Sequence, residues 1–123
     1  MTLAIRRGGV FWVSDETLSL PPNPQRAFHN RRPVIVISGD AKNASPEWPH
    51  VLVVPTSSSG TRATEFCVKL AYGVGNLPSK CWARTVMPQP IEKKALGDYL
   101  GEIPPAVMEM IDSGLLAYMG LVD

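Results

Sequence analysis

A chain of 123 residues, 45% apolar and 19% charged, has the composition of one globular domain and can bury roughly two-thirds of its unfolded surface. Its apolar runs are only strand-length, which excludes a membrane-spanning helix, and no repeat, linker or low-complexity block divides residues 1–123. The net charge of +1 is unevenly spread: residues 1–33 hold five arginines against Asp15 and Glu16, a local +3, leaving −2 for the rest. Arginine throughout that first third suits phosphate contacts better than general solubility.

The segment Met1 to Val13 contains Arg6-Arg7-Gly8-Gly9 and no signal-type apolar core, so a cytoplasmic location is expected. Val10-Phe11-Trp12-Val13 then reads as a first strand. Residues 14–31 form a long loop, too rich in proline (Pro21, Pro22, Pro24) for a helix or a central strand. A loop of that length in a small domain is usually functional or disordered, and this one carries Arg26, Phe28, His29 and Arg31.

Arg31-Arg32-Pro33 leads into Val34-Ile35-Val36-Ile37-Ser38, a buried strand over 33–38 with the proline at its first position. Preceding a proline, Arg32 is held extended, which fixes a guanidinium at the mouth of the strand. Its planar fork matches phosphate oxygens; a solvated arginine at a strand edge is the competing reading. A segment with Asn43, Ser45, Pro46, Trp48 and Pro49 follows. The next strand, residues 50–55, ends in Thr56-Ser57-Ser58-Ser59-Gly60. Arg32 and these hydroxyls could converge on one anion, although Thr56 and Ser57 could equally cap backbone in an ordinary turn.

Further strands are expected over 65–70 and 80–87, with a short helical turn near Glu92 to Leu96. After Ile103-Pro104-Pro105 comes the one long helix, with Val107, Ile111, Gly114-Leu115 and Tyr118 on an apolar face that covers a sheet. Five strands, a late helix and no βαβ alternation predict a small, strongly curved antiparallel barrel closed by a C-terminal helix.

Two cysteines without a histidine partner at ligand spacing do not make a zinc site, and Cys67 and Cys81 are expected as reduced thiols with at least one buried. Asp15-Glu16 and Asp40 are isolated by loops and read as turn or solvated residues, not as a two-metal carboxylate cluster. No metal or other cofactor is expected. His29 has the titration range for acid–base work, or is an exposed, inert histidine; His50, at a strand start, reads as structural. Of the aromatic residues able to stack on bases, Phe28 and Trp48 in loops are the better candidates, with Trp82 a further one and Trp12 assigned to the core.

In order along the chain, Arg7-Gly8-Gly9-Val10-Phe11-Trp12-Val13, Arg32-Pro33-Val34-Ile35-Val36-Ile37-Ser38, Asp40 and Asn43, Val53-Val54-Pro55-Thr56-Ser57, Gly75-Asn76-Leu77-Pro78-Ser79 and Met119-Gly120-Leu121 resemble the MazF/PemK (Kid-type) toxins of bacterial toxin–antitoxin systems. The resemblance implies a mainly β, SH3-like (MazF/CcdB-type) barrel. It also implies a sequence-specific, ribosome-independent and metal-independent endoribonuclease acting on single-stranded RNA, a homodimer with its RNA groove across the subunit interface, and control by a cognate antitoxin. Arg32 would stabilise the phosphorane and donate a proton. Ser57 aligns with the family's catalytic Thr/Ser, Thr56 is the near alternative, and His29 matches a family histidine by loop position only. Arg26, Phe28, Arg31, Trp48, Ser58 and Arg84 are the expected substrate-binding residues.

Two departures stand out. Gly9 occupies a place where the family often has Asp, and Met87-Pro88-Gln89-Pro90-Ile91-Glu92-Lys93 echoes the family's Gln-Ile-Arg-Thr-Ile-Asp-Lys only loosely. The basic residue of that segment is absent, with Arg84 just upstream as its substitute. Two other functions stay open on sequence: a CcdB-like gyrase poison, although its C-terminal Trp-Gly-Ile is not found here, and a catalytically inactive barrel that binds RNA or protein.

Overall fold

A computed structural model describes residues 4–20 and 30–122. Seven strands, Gly9–Ser14 (β1), Arg31–Val36 (β2), His50–Ser57 (β3), Val68–Leu70 (β4), Cys81–Ala83 (β5), Gln89–Glu92 (β6) and Tyr99–Glu102 (β7), form one curled antiparallel sheet. The order is β4-β5-β3-β2-β1-β7, with β6 also pairing on the first half of β3. This is the expected mainly β fold with a C-terminal helix, in half-barrel form. A short helix, Asp40–Asn43 (α1), links β2 to β3, and Pro105–Tyr118 (α2) follows β7.

Period-2 alternation divides the central strands between two cores. Val10, Ile35 and Val54 point toward α2 and pack with Met108, Ile111 and Leu115. Phe11, Val13, Val34, Val36, Val51 and Val53 point the other way and pack with Leu18 and Ile91. Both faces of β2 are therefore covered, which is why its sequence is continuously apolar instead of alternating. Ile111 is fully buried, a contribution of about 1.5–3 kcal/mol for such a side chain. Gly114 lets α2 approach the sheet: a Cβ there would run into the Phe66 carbonyl oxygen.

The β2–β3 connection is fixed by a side-chain knot. Ser38 Oγ donates to Asn43 Oδ1 (2.6 Å), Asn43 Nδ2 donates to the Ser38 carbonyl (2.9 Å), and Leu52 N–H donates to Ser38 Oγ (3.1 Å). Asn43 is buried, and Asp40 accepts the Arg7 N–H at 2.6 Å. Asp40 and Asn43 thus hold the scaffold.

Several expected boundaries move. Pro33 is the third residue of β2, not the first, because β1 reaches Ser14 and pairs with Arg31. Strand 65–70 shrinks to Val68–Leu70, since Thr64 draws the N–H groups of Phe66 and Cys67 into a turn. Strand 80–87 shrinks to Cys81–Ala83, after which a turn closes from Met87 N–H to the Arg84 carbonyl. The turn near residues 93–95 is present. Tyr118 is 51% exposed, with its ring against Phe66 rather than in the core, while Met108 takes the interior position.

Candidate functional site

The β2–β3 ladder runs from Val36↔Val53 to Val34↔Pro55 and stops there. Beyond that point Pro33 and Pro55 have no N–H to give, so the strand ends are joined by side chains instead. Thr56 Oγ1 donates to the Pro33 carbonyl at 2.7 Å, and Arg32 Nη1 donates to the Thr56 carbonyl at 2.9 Å. Arg32 is held on its other edge by Asp15: Nε to Oδ1 at 2.6 Å and Nη2 to Oδ2 at 3.0 Å. Arg32 is 8% exposed and Asp15 7%.

Asp15 therefore sits in a turn, as expected, but its carboxylate is buried on Arg32 instead of solvated. It opens a single 3-10 turn directly after β1, whose N-cap Ser14 accepts the Glu16 N–H, and this turn carries the carboxylate under β2. The sequence held one usable signal, since Asp15 and Glu16 are the only acids among residues 1–33, which hold five arginines. The pair with Asp15 uses Nε and Nη2 and the Thr56 carbonyl takes Nη1, once each, which leaves two of the five guanidinium N–H donors for a ligand.

Register sorts the hydroxyls. Continuing the β2–β3 pairing sets Ser57 opposite Arg32, on the same face of the sheet, and Thr56 opposite Pro33, on the other. Thr56 is buried with its hydroxyl on backbone, so it belongs to the scaffold. Ser57 is half-buried; its Oγ donates to the Ser59 carbonyl at 3.2 Å and accepts the Ser59 N–H at 3.3 Å. Both bonds are long for their type and easily exchanged for a phosphate oxygen. Ser58 is exposed one residue further along.

Arg84 lies beside this corner. Its N–H donates to the Pro55 carbonyl at 2.9 Å, and its buried Nε has no hydrogen-bond partner among the described residues. Two other expected residues, Arg31 and Trp48, lie elsewhere. Arg31 faces away from Arg32 and stacks on Trp12, its guanidinium carbon 4.0 Å from the ring centroid, so Trp12 is half-buried under a cation instead of sealed in the core. Trp48 is 46% exposed under Lys42, next to the start of β3, roughly 20 Å from Ser57 along that strand. His50 is exposed at that same end. Arg26, Phe28 and His29 lie outside the described residues.

Gly9 is buried where β1 begins, and a Cβ there would meet the Arg6 carbonyl oxygen and the Phe11 ring, each at 3.0 Å. Cys67 and Cys81 are free thiols, and Cys81 is buried. Among the described residues no three His, Cys, Asp or Glu side chains gather where a metal ion could be held. Nor is any described helix long and apolar enough to cross a membrane. The chemistry on offer at this corner is an anchored guanidinium beside a weakly held hydroxyl, an arrangement that binds an anion and stabilises charge developing on it.

Comparison with known proteins points the same way. Endoribonuclease MazF2 of Mycobacterium bovis and endoribonuclease MazF6 of Mycobacterium tuberculosis are each 30% identical to this chain over 119 residues, 97% of this chain and 100% of the relative. A solved structure described as an endoribonuclease in complex with its cognate antitoxin, from a mycobacterial species, superposes with a TM-score of 0.73 at 21% identity, covering 99% of both chains. The sequence model of the PemK-like, MazF-like toxins matches residues 6–119. The chain belongs to the PemK-like, MazF-like toxin family of type II toxin–antitoxin systems.

Proposed function

We propose that this single-domain chain is a cytoplasmic endoribonuclease toxin that cleaves single-stranded RNA at specific sequences, without ribosome or metal. The observation that carries the reading is the Arg32 guanidinium, clamped by Asp15 and the Thr56 carbonyl with two N–H groups left over, on the face it shares with Ser57. A phosphate placed there meets donors that are already oriented and need no reorganisation.

In the proposed reaction the RNA's own 2′-oxygen attacks the adjacent phosphorus and loses its proton to the base, while the 5′-oxygen leaves and takes one from Arg32, the donor that the family resemblance implies. The products are a 2′,3′-cyclic phosphate and a 5′-hydroxyl. Arg32 and Ser57 hold the charged equatorial oxygens of the phosphorane, and Arg84 supplies a further cation at the same corner. His29, two residues before the start of β2 in the sequence, is the proposed base.

The expected partners, besides RNA, are a cognate antitoxin and a second copy of the chain. The endoribonuclease structure solved with its antitoxin supports the first. Exposed apolar side chains on and after α2, among them Met110, Leu116, Tyr118, Met119 and Leu121, give a protein partner apolar surface to bury.

The test is incubation of the purified protein with labelled single-stranded RNA in EDTA, followed by analysis of the product ends. Cleavage with cyclic-phosphate and 5′-hydroxyl ends is expected. Activity that vanishes in EDTA and returns with magnesium would sink the mechanism, and no cleavage under either condition would return the chain to the binding-barrel reading.

A further inference from the structure

The face that carries Arg32 and Ser57 continues across the sheet. Ser57 pairs with Trp82 of β5, and Trp82 pairs with Lys69 of β4, so Arg32, Ser57, Trp82 and Lys69 form one cross-strand row on a single face. Lys69 Nζ lies 5.8 Å and Lys80 Nζ 5.7 Å from the centroid of the Trp82 ring. The ring is half-buried and both lysines are exposed. Its benzo edge is set by the loop after Ser57: a Cβ on Gly60 would fall 2.9 Å from Cζ2 and 3.0 Å from Cη2. A strand on one side and a glycine backbone on the other thus fix an indole in place, two strand spacings (about 10 Å) from Arg32.

We propose that Trp82 is a base-stacking subsite for a nucleotide flanking the scissile phosphate, with Lys69 and Lys80 on the adjoining RNA backbone. An indole offers a π-face to any base, and the exposed lysine ammonium groups now over the ring are free to turn to the phosphates that accompany the base. The row is a strip of basic, hydroxyl and aromatic groups along which one oligonucleotide reaches both Arg32 and Trp82. The packing of Trp82 against Gly60 ties the platform to the loop that follows Ser57, so stacking also helps place the phosphate over the hydroxyl. This inference rests on the endoribonuclease reading and adds to it a position on the RNA that the protein grips through a base.

The test begins with a transcript of mixed sequence that the wild-type protein cuts; failure to cut it would count against the endoribonuclease reading itself. The shortest oligonucleotide still cleaved is then made with a 2′-O-methyl group at the cleaved nucleotide, which blocks the nucleophile and lets binding be measured alone. Trp82→Ala should weaken binding roughly ten- to a hundred-fold, and Trp82→Phe should restore most of it. Abasic riboses placed one at a time around the cleaved bond should weaken wild-type binding by a similar factor at one flanking position, and that position should make no difference to Trp82→Ala. If Trp82→Ala does not fold, the abasic scan on wild type still decides. An active wild type for which no flanking abasic position lowers affinity, or equal losses in wild type and Trp82→Ala, overturns the subsite and leaves the cleavage mechanism standing.

Discussion

Asp15 and Arg32 face one another edge to edge, Nε–Oδ1 2.6 Å and Nη2–Oδ2 3.0 Å, with each residue less than a tenth exposed. A pair this buried sets two requirements at once, a stable fold and an oriented guanidinium. Removing either partner strands a charge in a poorly hydrated place, at a cost of about 3–5 kcal/mol. Asp15→Ala and Arg32→Ala should each lose stability on that scale, whereas the double mutant should lose clearly less than the sum. Urea unfolding of the four proteins measures the coupling directly. Additive losses would mean that the carboxylate and the guanidinium do not depend on each other.

Catalysis should separate two neighbouring hydroxyls. Ser57→Ala, judged on folded protein in single-turnover cleavage, should lose a hundred- to a thousand-fold in rate, about 3–4 kcal/mol, while Ser57→Thr should keep most activity. Thr56→Val should behave differently. Its hydroxyl bonds the Pro33 carbonyl, so the loss should appear as about 1 kcal/mol of stability, with the rate nearly unchanged. Arg32→Lys should fail substantially in rate, because an ammonium keeps the charge but cannot grip Asp15 and a phosphate together. A slow Thr56→Val beside a normal Ser57→Ala would exchange the two assignments.

The strand run Val34 to Val36, the hydroxyl turn after Pro55 and the helix after Pro104-Pro105 were legible because each depends on local chain chemistry. β6 and β7 were not. Gln89–Glu92 contains Pro90, which reads as a loop, yet β6 pairs on one side only and can spare an N–H. Tyr99–Glu102 contains Gly101, which weakens the strand signal. A Cβ there would lie 2.8 Å from the Gly75 carbonyl oxygen, so the glycine answers a neighbour that is distant in sequence. The site divides in the same way. The placing of Arg32 at the strand mouth followed from Pro33 beside it and the choice of Ser57 from the family resemblance, whereas the burial of Asp15 and the turning of Arg31 onto Trp12 depend on β1–β2 register.

That division gives a test by salt. Each phosphate contact made to single-stranded RNA should add about 0.7 to the slope of log affinity against log salt. Arg84→Gln, beside the Pro55 corner, should lower the slope by about that amount. Arg31→Gln should leave it nearly unchanged, since Arg31 lies on the other face against Trp12. Filter binding across a salt series, using RNA blocked at the cleaved 2′-position, makes the comparison. A drop for Arg31→Gln equal to that for Arg84→Gln would place the RNA on both faces and count against a single groove.

The two thiols should respond to pH in opposite ways. Burial resists ionisation of Cys67, but hydrogen bonds from the Thr64 hydroxyl and backbone, together with the positive charge of Arg84, outweigh it and hold the thiol below its ordinary range. Burial pushes Cys81 the other way, up to about 11, with only partial relief from Thr56. At pH 8 iodoacetamide should therefore alkylate Cys67 well before Cys81, followed by mass spectrometry, because the thiolate is the nucleophile. The sign for stability follows from linkage. Below the ordinary value near 9, Cys81 is protonated whether the chain is folded or unfolded, and its contribution is fully present. Between 9 and about 11 the unfolded thiol ionises while the folded one does not, so stability falls as pH rises. From pH 8 to 10.5 that loss is about 2 kcal/mol, and it should be missing from Cys81→Ala when both proteins are unfolded in urea at the two values. Equal alkylation of the two cysteines, or the same alkaline loss in Cys81→Ala, would show that the sheet around β5 opens to solvent more readily than its packing implies.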